Sequence, residues 1–185
     1  MRRVVGIAVV VLVFCVALGA LGRRLRGPYP RRTKAIRRAI GGVLFIAYAY
    51  GVLTQTILGR LVKARSSLLE LLWSYRASFA LTERGITVTN TVLLTEILLN
   101  VLLFAPLGAL LPFLAPNLFS TERVARDAVR VAIVACAMSL AIELSQRLFH
   151  LGQFELDDIL NNTIGALLGF AAYRIAFRIA QRVWG

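Results

Sequence analysis

Polar side chains recur in pairs inside otherwise apolar stretches of this sequence. Glu96 and Asn100 are four residues apart, Glu143 and Gln146 three, and Asp158 and Asn162 four. These spacings put both members of each pair on one helix face. A carboxylate beside a carboxamide can hold a cationic group or a polar headgroup. Carboxylates can also act as general acid and base, or bind a divalent cation through oxygen. An ionisable residue at the centre of a membrane helix costs on the order of 2.5–3.5 kcal/mol, so such residues face a bundle interior or a watery cavity. Three convergent pairs therefore predict one polar cavity. Each member also has a plainer reading. Asp157 and Asp158 can cap the helix they begin, Asn100 can tie helices together, Glu96 can be solvated, and Glu143 can serve a buried structural hydrogen bond. His150 reads as an ordinary interfacial residue.

The segments that must position these groups are apolar and long. Hydrophobic residues make up 58% of the 185-residue chain, and the mean hydropathy is +0.74. A bilayer core of roughly 30 Å needs about 20 helical residues. Five runs meet that length: residues 4–22, 39–59, about 92–114, about 129–149 and 159 to about 177. The predicted fold is all-α, a polytopic helical membrane protein with about five transmembrane helices. A cleaved signal peptide is the competing reading of the first run. That run exceeds the usual apolar core of ~7–15 residues and is followed by a stop-transfer-like basic stretch. No lipobox precedes Cys15, because Phe14 is too large. Residues 1–59 are read as a two-span anchor, and 60–185 as a domain of an interfacial loop and three spans. Pro28 and Pro30 are expected to keep the basic stretch 23–38 from forming one helix. Residues 60–90 are read as an amphipathic interfacial segment plus a loop. Pro106 is expected to kink the third span, Arg174 to snorkel at the end of the fifth, and the Gly165/Gly169 pair to pack against a neighbouring helix.

The net charge is +13. Most of that excess lies between apolar runs, so it is a topology signal before it is a nucleic-acid signal. The 23–38 stretch holds eight Lys or Arg and no acid; it anchors topology and touches anionic lipid, with no nucleic acid expected as a partner. With that stretch in the cytoplasm, 14 basic residues fall inside and eight outside. The bias predicts N-out and C-in. All three polar pairs then lie at the outer ends of their spans. Two cysteines, both within apolar runs, exclude a disulfide framework or a C-x-x-C metal site. No phosphate loop, H-E-x-x-H or G-x-S-x-G pattern is present, so no metal and no cofactor is expected.

The same residues carry a family resemblance. NVLLFAPLGALLP over residues 100–112 resembles the first signature of VanZ-like membrane proteins. SLAIELSQ over 139–146 resembles the second, and DDILNNTIG over 157–165, with Gly169, the third. Upstream, Trp73-Ser74-Tyr75-Arg76 is similar to a loop motif of actinobacterial members. The resemblance covers roughly residues 70–175. Two positions depart from it: Leu71-Leu72 stand where members often carry Pro-Phe, and Gln153 where they often carry Arg. If that Arg meets an anionic group in relatives, Arg76 and Arg147 are the residues here to replace it.

The founding member of that family is associated with low-level resistance to teicoplanin and related lipoglycopeptides, which bind cell-wall precursors at the outer membrane surface. The resemblance implies a cell-envelope role. The first expectation is a non-enzymatic protein binding or excluding an amphiphile through Glu96, Asn100, Glu143, Gln146, Asp158, Asn162 and Arg76. An enzyme acting on a lipid-linked cell-wall precursor comes second, because no nucleophile constellation is visible and no catalytic residue can be named. A transporter comes third, since no inverted repeat is evident.

Overall fold

A computed structural model of the chain describes residues 2–26, 30–58, 67–68, 70–82, 85–119 and 123–184. The protein is mostly helical, and five of its helices are long and apolar enough to cross a membrane. They are α1 (Arg2–Arg24), α2 (Pro30–Leu53), α4 (Thr91–Leu114), α5 (Val124–Leu148) and α6 (Leu156–Trp184). The second span continues past Leu53 as a π-helical turn, Thr54–Leu58. Between the second and third spans lie β1 (Ser67–Leu68), a short helix α3 (Trp73–Ser78), β2 (Phe79–Thr82) and β3 (Gly85–Val88). β4 (Phe154–Glu155) precedes α6.

One local expectation holds and two change. The basic stretch is not one helix: α1 ends at Arg24, and α2 starts at Pro30 and carries Arg31 to Arg38 in its first turns. Proline is well placed at a helix start, where its missing N–H has no partner to lose. Pro28 lies outside the described residues. The 60–90 segment contains a hairpin and one short helix, with β2 and β3 antiparallel from Phe79↔Val88 to Thr82↔Gly85. Gly85, at φ 105°, supplies the left-handed backbone at its turn. Lys63, Arg65, Glu83 and Arg84 lie outside the described residues. Arg174 is 7% exposed and packs its guanidinium 5.8 Å from the Phe170 ring centroid, so it does not snorkel.

α4 and α6 form the spine. A Cβ at Gly108 would lie 1.8 Å from the Ala166 carbonyl oxygen. At Gly165 it would lie 2.0 Å from the Val101 oxygen, and at Gly169 1.8 Å from the Ala105 oxygen. The two backbones therefore touch, as small residues permit inside a membrane. α1 joins them: Gly19 lies against the backbone at Tyr173 and Phe177, and Cys15 and Leu18 are buried. One apolar cluster joins Cys15 and Leu18 with Leu110, Phe113, Tyr173 and Phe177. Another joins Val52, Phe104, Val131, Ile142 and Phe170, bringing in α2 and α5. The outward faces stay apolar, for example Val10, Val13, Ile46, Ile133 and Ile175. Bilayer hydrocarbon suits such a surface.

Helix ends are set by specific side chains. The Asn90 carboxamide oxygen accepts from the Val92 and Leu93 N–H groups, both at 3.1 Å, and caps α4. His150 closes α5 in the left-handed region at φ 58°, and the Leu151 N–H donates back to the Gln146 carbonyl at 2.8 Å. That is a Schellman-type ending, so His150 has a defined backbone role.

Candidate functional site

The polar end of α4, α5 and α6 is assembled around the first turn of α6. Asp157 is fully buried. Its Oδ1 accepts from the Leu72 N–H at 2.5 Å, and its Oδ2 from the Ser74 N–H at 2.9 Å and the Ser74 hydroxyl at 2.6 Å. These donors lie at the start of α3, whose own N-cap, Leu72, offers no side-chain acceptor. Asp157 therefore caps α3 from across the fold instead of acting only on its own helix. Leu72 sits at φ 65°, ψ 18°, a conformation that costs a non-glycine residue roughly 1–2 kcal/mol. The Asp157 bonds hold it there. One turn further on, the Tyr75 hydroxyl donates to the Asn161 carboxamide oxygen. Burial, and then the charge of Asp157, push the Tyr75 hydroxyl above its ordinary pKa.

The next stripe of α6 faces the other spans. Asn100 donates to Asp158 Oδ1 at 2.6 Å, joining α4 to α6. Asn162 donates to the Ser139 hydroxyl at 2.8 Å, joining α6 to α5. Glu143, 2% exposed, accepts the Glu155 N–H at 3.0 Å. Gln146, 1% exposed, donates to the Thr56 carbonyl at 3.0 Å. Thr56 belongs to the π-helical turn, a distortion that often marks functional positions. β1 and β4 pair in parallel, Ser67↔Phe154 and Leu68↔Glu155, and bring the inter-span loop to the same end.

Of the sequence candidates, Asn100, Glu143, Gln146, Asp158 and Asn162 are all hydrogen-bonded at this end, in separate pairs. Glu96 is exposed, yet close enough to influence Glu155. Arg76 stands apart: it makes a 2.6 Å ion pair with Glu70 at the surface. Gln153 and Arg147 are both exposed.

Other participants were not among the sequence candidates. Asp157 and Asn161 share the i, i+4 spacing of Asp158 and Asn162, and that spacing was the available signal. Ser74 and Tyr75 carried none beyond the loop motif. Glu155 is the other omission. Its carboxyl is pushed up from 4.5 to about 7, chiefly by burial, then by the charges of Asp158 and Glu96. The nearby Trp73 indole partly offsets that shift, and Asp157 adds a smaller upward push. Two buried amide atoms here, Asn161 Nδ2 and Asn162 Oδ1, have no hydrogen-bond partner. Among the described residues, no group of three or more His, Cys, Asp or Glu side chains can hold a metal ion.

No protein of curated function and no solved structure matches the chain. The family model described as VanZ/LLP1 does match, over residues 39–177. That stretch takes in the second span as well as the motif-bearing third, fourth and fifth. The three signature segments converge on the polar end within it, and the chain belongs to the VanZ/LLP1 family.

Proposed function

We propose that this VanZ-like protein works at the outer face of the bacterial cytoplasmic membrane, with its N-terminus out and its C-terminus in. There the acidic and amide groups around Glu155, Glu96, Asn100 and Asp158 take the cationic head of an amphiphile. The role that follows is in the cell envelope, including tolerance of lipoglycopeptides such as teicoplanin. The observation that carries the reading is the Glu155 carboxyl, pushed up to about 7 by burial and by neighbouring Asp158 and Glu96. An ammonium group placed among these carboxylates relieves their repulsion and favours the ionised form of Glu155. The unpartnered amide atoms of Asn161 and Asn162 offer polar contacts beside them. In the test, Glu143→Gln, Glu155→Gln and Asp158→Asn are expressed in a susceptible host, with membrane abundance checked for each. Changed lipoglycopeptide susceptibility at equal abundance is expected; unchanged susceptibility in all three defeats the proposal. A reporter fused after Gly185 that is active only outside the cytoplasm overturns the orientation.

The same carboxyl favours one second reading. A group titrating near 7 suits general acid–base chemistry, so the alternative is an enzyme acting on a lipid-linked cell-wall precursor. Purified protein that leaves such a precursor unchanged, judged by chromatography of the products, rejects it.

A further inference from the structure

The opposite end of the bundle is built from arginines. Arg23 and Arg26 follow the last buried turn of α1, Arg37 comes from α2, and Arg174 and Arg178 from α6. Arg26, Arg37 and Arg174 lie around Tyr173, whose hydroxyl is so close to Gly22 that a Cβ there would meet it at 2.5 Å, while Arg23 acts on Arg26 and Arg178 on Arg174. Arg26, Arg37 and Arg174 all act electrostatically on that hydroxyl. Arg26 also feels Arg37 and Arg23 as like charges, and its guanidinium stacks 4.5 Å from the Phe177 ring centroid.

Among the described residues, balancing negative charge is scarce. Asp127 is fully buried and acts on Arg174, but its Oδ1 already faces Arg130 at 3.4 Å and Arg126 at 4.0 Å. Arg37 is only 8% exposed, and its Nε has no hydrogen-bond partner. The Nε of Arg23 is likewise buried without one. Burying a guanidinium without an anion is strongly unfavourable. A tetrahedral phosphate meets its donors well, because the planar fork can bind two oxygens at once.

We propose that Arg23, Arg26 and Arg37, with the Tyr173 hydroxyl, form a specific site for the phosphate of an anionic membrane lipid. A lipid is the occupant because the site sits where apolar spans end. The exposed apolar faces of α1 and α2, including Val13, Val16 and Ile36, lead away from it and would lie along the acyl chains. This site is at the far end of the spans from the polar pairs, so it stands independently of the function proposed above. It also differs from the diffuse attraction that the exposed arginines of the same stretch exert on a charged surface.

The full chain, purified in neutral detergent, is titrated with phosphatidylglycerol, phosphatidylcholine or inorganic phosphate. Melting temperature and lipid retention in native mass spectrometry are read together. Phosphatidylglycerol is expected to raise the melting temperature and to remain bound, with the other two ineffective. Arg37→Gln should weaken that binding at least tenfold while raising the melting temperature of the lipid-free protein, since it removes an unmatched buried charge. A merely structural Arg37 would lower it. Arg26→Gln, at an exposed position, tests the site if Arg37→Gln does not fold and should also weaken binding severalfold. Arg31→Gln, an exposed change in the same stretch, should leave affinity within twofold. Equal losses from Arg31→Gln and the site variants would mean diffuse attraction and overturn the proposal. So would saturation by inorganic phosphate, or no response to phosphatidylglycerol.

Discussion

Ser74 and Asp157 are 83 residues apart in sequence, and two hydrogen bonds join them. The Ser74 N–H and hydroxyl both donate to one carboxylate oxygen, at 2.9 and 2.6 Å. The other oxygen takes the Leu72 N–H. A charged acceptor thus fixes the short helix of the inter-span loop onto the first turn of the last span.

Asp157→Asn should loosen that attachment. The variant keeps the shape but loses the charge and one acceptor oxygen, leaving buried donors poorly matched. The expected loss is about 2–3 kcal/mol. Thermal unfolding in detergent measures it, and hydrogen exchange should quicken at residues 72–76 before it does within the spans. Unchanged exchange there would contradict the attachment.

Glu155 predicts a pH dependence. Its folded pKa, about 7, lies above the ordinary 4.5. The folded state therefore holds the proton more tightly than the unfolded state. This contribution to stability is complete below about pH 4.5 and is lost as pH rises to about 7. Melting temperature measured across that window should fall in the native protein. In Glu155→Gln this component of the slope should disappear, while the Glu155 N–H bond to Glu143, a backbone contact, survives the change.

Gly169→Ala should be among the most damaging changes in the chain. The added carbon would meet the Ala105 carbonyl oxygen at 1.8 Å, and a main-chain atom cannot turn aside. Overpacking typically costs about 1–3 kcal/mol, and a backbone obstacle puts this site at or beyond the upper end. Size-exclusion chromatography of the solubilised protein should show loss of the folded peak. Gly42→Ala, where no atom lies within 4 Å, is the control expected to behave normally.

The Asn100–Asp158 bond can be measured by a double-mutant cycle. Alanine at either position, and at both, should reveal a coupling of about 0.5–1.5 kcal/mol, the range of hydrogen bonds between membrane helices. Coupling near zero would show that the 2.6 Å contact adds nothing to stability.

The spans were legible because a bilayer demands long apolar runs, and the sequence has five. The meeting of Asn100 with Asp158 followed from helix spacing and alternating direction. Other features carry no periodic signal. An acid at the head of a helix looks like a cap for that helix, so Asp157 gave no sign that it faces Leu72 and Ser74. β1 and β4 are two residues long, and their pairing joins positions 67 and 154 without a local pattern. Arg174 lies on the turn after Phe170 and reads as a snorkelling residue; its burial beside the Phe170 ring, with Asp127 of α5 acting on it, is a tertiary arrangement. Glu155 stood outside the paired stripes, and its burial, followed by the charges of Asp158 and Glu96, makes it distinctive.

The contact between the α4 and α6 backbones has a mechanical corollary. Where main chain lies on main chain, no side chain is available to rotate and absorb a displacement. The spacing of Asn100 and Asp158 is then fixed by Gly108, Gly165 and Gly169. The α3 loop is different. It is clasped by a few bonds to Asp157 and Asn161 that can open one at a time. Displacement at this end of the molecule therefore falls to the loop, with the two spans as its rigid backing.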